Sequence, residues 1–362
     1  DKQSCWPLIG LPGDPKRPSS YYSMEFLADS GSAAAPAQRF EDPTIHRGQL
    51  VRVRIREHGG TGNVIEVTCI SCLDSGNIYQ FVRTLRDCIY GKVKHAIKIY
   101  QAADGIYDYT QEQVAIKVMY RQKIRELRGR HNENPMSEIA AMEYLSDPGS
   151  QYVLSLIECV MDETRVYAVL PFCGAELFSH VERSGRFDEG TSRTLFLQIL
   201  EGLQYVHSKY VCHRDMSLEN VLVTENQCKI IDFGMCLRKP QGPNGQSLLM
   251  LPAGQCGKRN YMSPEIYANT DPFDGLAVDL WACAVMLFIM LTGVPPFELP
   301  SMVDQRFRMV NSGGLAEMLR MWDIRVSEGA AHLLQGMLRA DPARRLSLEE
   351  VLAHPWVTQQ QG

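Results

Sequence analysis

The stretch His213-Arg214-Asp215-Met216-Ser217-Leu218-Glu219-Asn220, followed by Asp232-Phe233-Gly234, restricts what this chain can fold into more than any other feature. Its polar residues lie between two apolar runs, Val221-Leu222-Val223 and Lys229-Ile230-Ile231, which read as short buried strands flanking a loop. Carboxylates held at the ends of buried strands are costly unless they meet a cation. Asp232 and Asn220 offer hard oxygen ligands suited to Mg²⁺, and Asp215 is near enough in sequence to face the same space. An isolated Asp-Phe-Gly is often an ordinary turn, but the two motifs at this spacing point to phosphoryl transfer.

The chain has 362 residues, more than the about 100–200 of a usual single core, so two lobes and some tail are expected. A net charge of -5 gives it no general affinity for nucleic acid or anionic membranes. Its eleven Cys follow no disulfide spacing, which suits reduced thiols in the cytosol or nucleus. Cys69-x-x-Cys72 has no second pair to complete a zinc site. The apolar run over residues 280–293 falls short of the roughly 20 residues that cross a bilayer. It reads as a core helix, so no membrane span and no targeting segment are expected.

Residues 1–48, rich in Pro, Gly, Ser and Ala, read as a disordered tail. Residues 49–78 read as a β-hairpin of unknown role: Val51, Val53 and Ile55 alternate with Arg52, Arg54 and Arg56, and a second apolar strand follows Gly59-Gly60-Thr61-Gly62. The next strands are expected at 79–82, 92–100, 114–118, 153–159 and 165–172, with a polar loop over 101–113. Asn134-Pro135 caps a helix through Leu145 that places Glu138 beside an apolar stripe. A five-stranded antiparallel sheet with one helix thus precedes a region where helical periodicity dominates from Glu176 onward.

Residues 79–357 resemble a eukaryotic protein kinase domain of the serine/threonine type, similar to the cyclic-AMP-dependent and calcium/calmodulin-dependent groups. The resemblance implies a bilobal α+β fold: a small antiparallel β lobe with one main helix (79–172), a larger mostly helical lobe (173–357), and a short tail at 358–362. It implies Lys117 of Val-Ala-Ile-Lys on the ATP phosphates, paired with Glu138, Asp215 as catalytic base, and Asn220 and Asp232 as Mg²⁺ ligands. Gly91, Val93, Ala115, Leu170 (the gatekeeper), Phe172, Cys173, Glu176 and Leu222 would surround the nucleotide. Phe233, His213, Met142 and Leu156 would stack in one apolar column, Glu265 would pair with Arg345, and Asp279 would hold the catalytic-loop backbone. Protein substrates follow, and Glu176 with Glu219 would accept a basic residue ahead of the acceptor. Oligomeric state is not implied.

Three departures stand out. The glycine-rich loop reads Arg86-Asp87-Cys88-Ile89-Tyr90-Gly91-Lys92-Val93 and keeps only its last Gly, which leaves a catalytically silent pseudokinase as the alternative. Ser217 stands where such kinases carry a lysine for the γ-phosphate, and Lys258 stands where they often carry threonine, so the cation is expected to have moved to Lys258. Finally, Arg214 could receive an activation-segment phosphate, yet the usual acceptor position falls near Gly254. Either Ser247 serves instead or the segment is ordered without phosphate.

Overall fold

The computed structural model describes residues 34–57, 63–127, 133–225 and 227–359. A short strand, β1 (Ala34–Ala35), precedes β2 (His46–Arg56), β3 (Val64–Cys72), β4 (Ile78–Cys88), β5 (Gly91–Gln101) and β6 (Tyr107–Tyr120). Then come helices α1 (Arg121–Leu127) and α2 (Pro135–Leu145) and strands β7 (Glu158–Met161) and β8 (Arg165–Pro171). Alternating apolar residues make these strands sided, and the sheet closes on itself in the order β2-β3-β4-β5-β6-β8-β7. Closure comes from β2, whose His46 and Arg47 pair in parallel with Val160 and Met161 of β7. Ile70, Cys72, Tyr79, Ile116, Val160 and Tyr167 fill the core between the β3–β4 side and the β6–β8–β7 side.

This departs from the sequence expectation in three places. Residues 49–78 are not a separate hairpin: β2 and β3 are barrel strands, because Ile70 and Cys72 bury against Val114, Ile116 and Val169. The first lobe therefore has seven barrel strands rather than five and begins at His46 rather than residue 79. Of the expected tail, residues 1–33 lie outside the described residues, as does the turn over 58–62. Residues 34–48 are held by pairing, with Ala34 and Ala35 beside Leu249 and Met250. The loop expected over 101–113 is also shorter, because β6 starts at Tyr107 and pairs Tyr107 with Gln101.

Beyond β9 (Ala175–Glu176) the chain is mostly helical: α3 (Leu177–Ser184) and α4 (Glu189–Ser208) precede the small strands β10 (Val211–Cys212), β11 (Val221–Thr224), β12 (Gln227–Ile230), β13 (Leu237–Arg238) and β14 (Leu249–Met250). Helices α5 (Pro264–Ala268) and α6 (Gly275–Thr292) follow, then α7 (Gln305–Asn311), α8 (Leu315–Met321), α9 (Glu328–Met337), α10 (Leu348–Leu352) and α11 (Pro355–Thr358). Asp274 caps α6 by accepting from Leu276 N, and Gly293 ends it in a left-handed conformation. This cap lengthens the helix beyond the apolar run of residues 280–293, so by length and composition it is apolar enough to cross a bilayer. Yet 89% of this stretch is buried inside the protein, as in a core helix.

Candidate functional site

Lys117 lies on β6 between Ile116 and Val118, and its partner Glu138 lies on the first turn of α2. Asn134 fixes that turn, its Oδ1 accepting from Met136 N at 3.1 Å and Ser137 N at 3.3 Å. The Lys117 ammonium donates to both Glu138 oxygens, at 2.7 and 2.6 Å. Burial alone would pull the Lys117 pKa down, but Glu138 and Asp232 outweigh it and hold it above the ordinary lysine value. The charged Lys117 ammonium is thus held on Glu138 within the field of Asp232.

The catalytic loop hangs from α6. Both oxygens of buried Asp279 accept its backbone amides, from His213 at 2.8 Å and Arg214 at 2.7 Å. The His213 ring donates to Ile231 O at 2.9 Å and lies 4.9 Å from the Phe233 ring. Phe233 and Met142 belong to the main core cluster, and Leu156 packs against it. Arg345 clamps Glu265 through two bonds of 2.7 and 3.0 Å.

At the centre, Asn220 Nδ2 donates to Asp215 O at 2.8 Å and to Asp215 Oδ2 at 2.9 Å. Asp215 Oδ1 is buried and has no hydrogen-bond partner among the described residues. Burial pushes the Asp215 carboxyl above the usual carboxylate range, although Lys258, His213 and the Asn220 bond oppose it. Burial also acts on Asp232, but Lys117, His213 and Arg86 prevail and keep it below that range. Asp232 is therefore the firmly ionised carboxylate, and with Asn220 it offers the oxygen donors that suit Mg²⁺.

Lys258 reaches back to Ser217 and Asp215. Its ammonium donates to Ser217 Oγ at 2.8 Å and lies 4.0 Å from Asp215 Oδ2. Gly257, at φ +80°, turns the chain there; a Cβ would approach Arg214 O to 3.1 Å and Asp215 Oδ1 to 3.3 Å. Lys239 of the same segment is buried and donates to Asp274 Oδ1 at 2.6 Å.

The positions expected around a nucleotide fall on two sheets. Gly91 and Val93 of β5 lie opposite Met119 and Lys117 in the ladder, Ala115 lies opposite Leu170, and Leu222 of β11 pairs with Glu176 of β9. Leu170 is buried and Cys173 is partly buried. Phe172 is brought in by its backbone only: its ring is partly exposed and packs on His95, 4.5 Å between centroids. Two contacts escaped sequence reading, the Arg86–Glu176 ion pair at 3.1 Å and the Tyr90 hydroxyl donating to Glu133 O at 2.8 Å. Only the unexpected loop residues themselves hinted at them.

The chain matches the family model for the protein kinase domain over residues 98–357. It is 32% identical over 280 residues to the CBL-interacting protein kinase 17 of Oryza sativa subsp. japonica, covering 77% of this chain and 56% of the rice protein. Over 286 residues it is 31% identical to the sucrose non-fermenting protein kinase 1 of Fusarium virguliforme, covering 77% of this chain and 36% of the fungal one. The maternal embryonic leucine zipper kinase of Danio rerio is 34% identical over 255 residues, covering 70% of this chain and 35% of the fish protein. The chain thus spans from about a third to little more than half of these relatives.

Proposed function

The chain belongs to the protein kinase domain family, and we propose that it is an active protein serine/threonine kinase that uses ATP and Mg²⁺. The observation that carries the proposal is the buried Lys117–Glu138 pair facing ionised Asp232, with Asp215 Oδ1 unpartnered beside them. Phosphoryl transfer needs positioning and charge neutralisation more than covalent chemistry, and these groups supply both. When bound, Mg²⁺ would neutralise phosphate charge, with Asn220 and Asp232 as its ligands. Asp215 Oδ1 accepts the hydrogen bond of the substrate hydroxyl and takes its proton as the acceptor oxygen bonds to the γ-phosphorus and the bond from that phosphorus to the bridging oxygen breaks, with ADP leaving. Lys258, beside Asp215 and Ser217, supplies the cation that stabilises the transferring phosphoryl group.

The glycine-poor loop favours a second reading, a pseudokinase that keeps the fold without transfer. The finer substrate reading is a basic residue ahead of the acceptor. Glu219, whose buried Oε2 has no partner among the described residues, supports it, whereas Glu176 is already occupied by Arg86. Residence in the cytosol or nucleus belongs to the same proposal and rests on cysteines that stand as free thiols among the described residues. The test is transfer of labelled phosphate from ATP with Mg²⁺ to a generic basic protein, by wild type and by Asp215→Ala, with phosphoamino-acid analysis. Label on serine or threonine that falls about 10²–10⁴-fold in the variant is expected for a lost general base. Equal label in both leaves the pseudokinase reading standing.

A further inference from the structure

On the reading that the cleft holds nucleotide, the strand turn over the phosphates is built unlike a glycine-rich loop. Ile89 and Tyr90 form a tight turn between the paired Cys88 and Gly91, and Tyr90 is buried with its hydroxyl on Glu133 O. Gly91, the one glycine retained, serves strand packing: a Cβ there would lie 2.0 Å from Val118 O. The positions where glycine would let the backbone approach phosphate carry Arg86 and Cys88 instead.

Arg86 lies on β4 opposite Val93 and reaches across the cleft mouth, Nη1 donating to Glu176 Oε1 at 3.1 Å. The pair is exposed, 48% for Arg86 and 34% for Glu176, and such a pair is a weak restraint that a stronger anion displaces. The Arg86 charge also acts on Asp232 and Glu138, at the floor of the site and on α2, so the guanidinium shares a field with the carboxylates that surround the phosphates. A planar guanidinium binds phosphate oxygens through two parallel bonds, which backbone amides otherwise provide in a loop of this kind.

We propose that Arg86 is a phosphate-binding residue, a side-chain clamp in place of the glycine-built amide cradle, which leaves Glu176 for the nucleotide as it takes hold. Its signature is dependence on phosphate number. Binding of Mg²⁺-ATP, Mg²⁺-ADP and adenosine is measured by calorimetry for wild type, Arg86→Gly and Arg86→Gln; the second substitution keeps the bulk of the strand residue if the first fails to fold. Loss of a charge-assisted contact weakens ATP by about tenfold to a hundredfold and leaves adenosine unchanged. Equal binding of ATP by wild type and variants overturns the proposal, as does tighter binding of all three ligands, which marks a mere latch. A wild type that binds adenosine and ATP equally well also overturns it, while one that binds neither removes the nucleotide reading itself.

Discussion

Asp215 sits where burial outweighs the cations around it, and the pH dependence of its proposed role follows from that. Burial raises its pKa, Asp232 adds to the rise, and Lys258, His213 and Asn220 pull it down. The ionised carboxylate is the form that accepts a proton, so activity is lost as pH falls through this pKa. Lys258 favours the ionised form; Lys258→Met therefore moves the acid limb of kcat/KM to higher pH. An unmoved limb would show that the two groups do not share a field. At this scale the sequence was informative wherever chemistry restricts the residue type: Lys117, Glu138, Asp215, Asn220 and Asp232 do come together. It was silent where a partner is chosen by proximity alone, as in the Arg86–Glu176 pair and in Lys239 on Asp274.

At the scale of elements, the activation segment is held from an unexpected side. The parallel pairing of Ala34 and Ala35 with Leu249 and Met250 continues in Leu251 N donating to Ala35 O at 3.2 Å and Gln38 N donating to Arg238 O at 3.0 Å. Ala37 packs on the cluster of Cys212, Met250, Cys256, Met262 and Phe273 that supports the segment. Ser247 pairs with Gln241 in an isolated bridge, which ties the two ends of the 241–247 turn together. Ala37→Asp places a charge against that cluster and is expected to speed amide exchange over residues 247–257, measured by mass spectrometry, while α4 and α6 stay protected. Unchanged exchange in the segment would show that the N-terminal strand does not support it. No pattern reveals such pairing in advance, because two alanines carry neither strand periodicity nor charge.

For the molecule as a whole, the closed barrel makes the N-terminal strands part of the kinase lobe rather than an appendage. Alternation in residues 50–56 and 64–70 made the strands legible, whereas their place was not. Period-two patterning tells which face is buried but not what covers it. The substitution Ile70→Ala separates the two views: a barrel core residue costs about 2–5 kcal/mol in denaturant unfolding, and a residue of a solvated hairpin costs within about 0.5 kcal/mol. The larger lobe was easier to read, since its long apolar run ends at Gly293 and such signals act locally.

On the proposed function, phosphoryl transfer draws on the cation that the activation segment places beside Asp215 and Ser217. The most direct measurement is the turnover of Lys258→Met against Lys258→Met with Ser217→Lys, using Arg320→Met, at an exposed side chain of α8, as control. Loss of one charge that acts in the transition state costs about 10²–10³ in kcat, so a fall of that size in the single variant, recovery in the double variant and no change in the control are expected. Wild-type turnover in Lys258→Met would contradict the relocation of the cation.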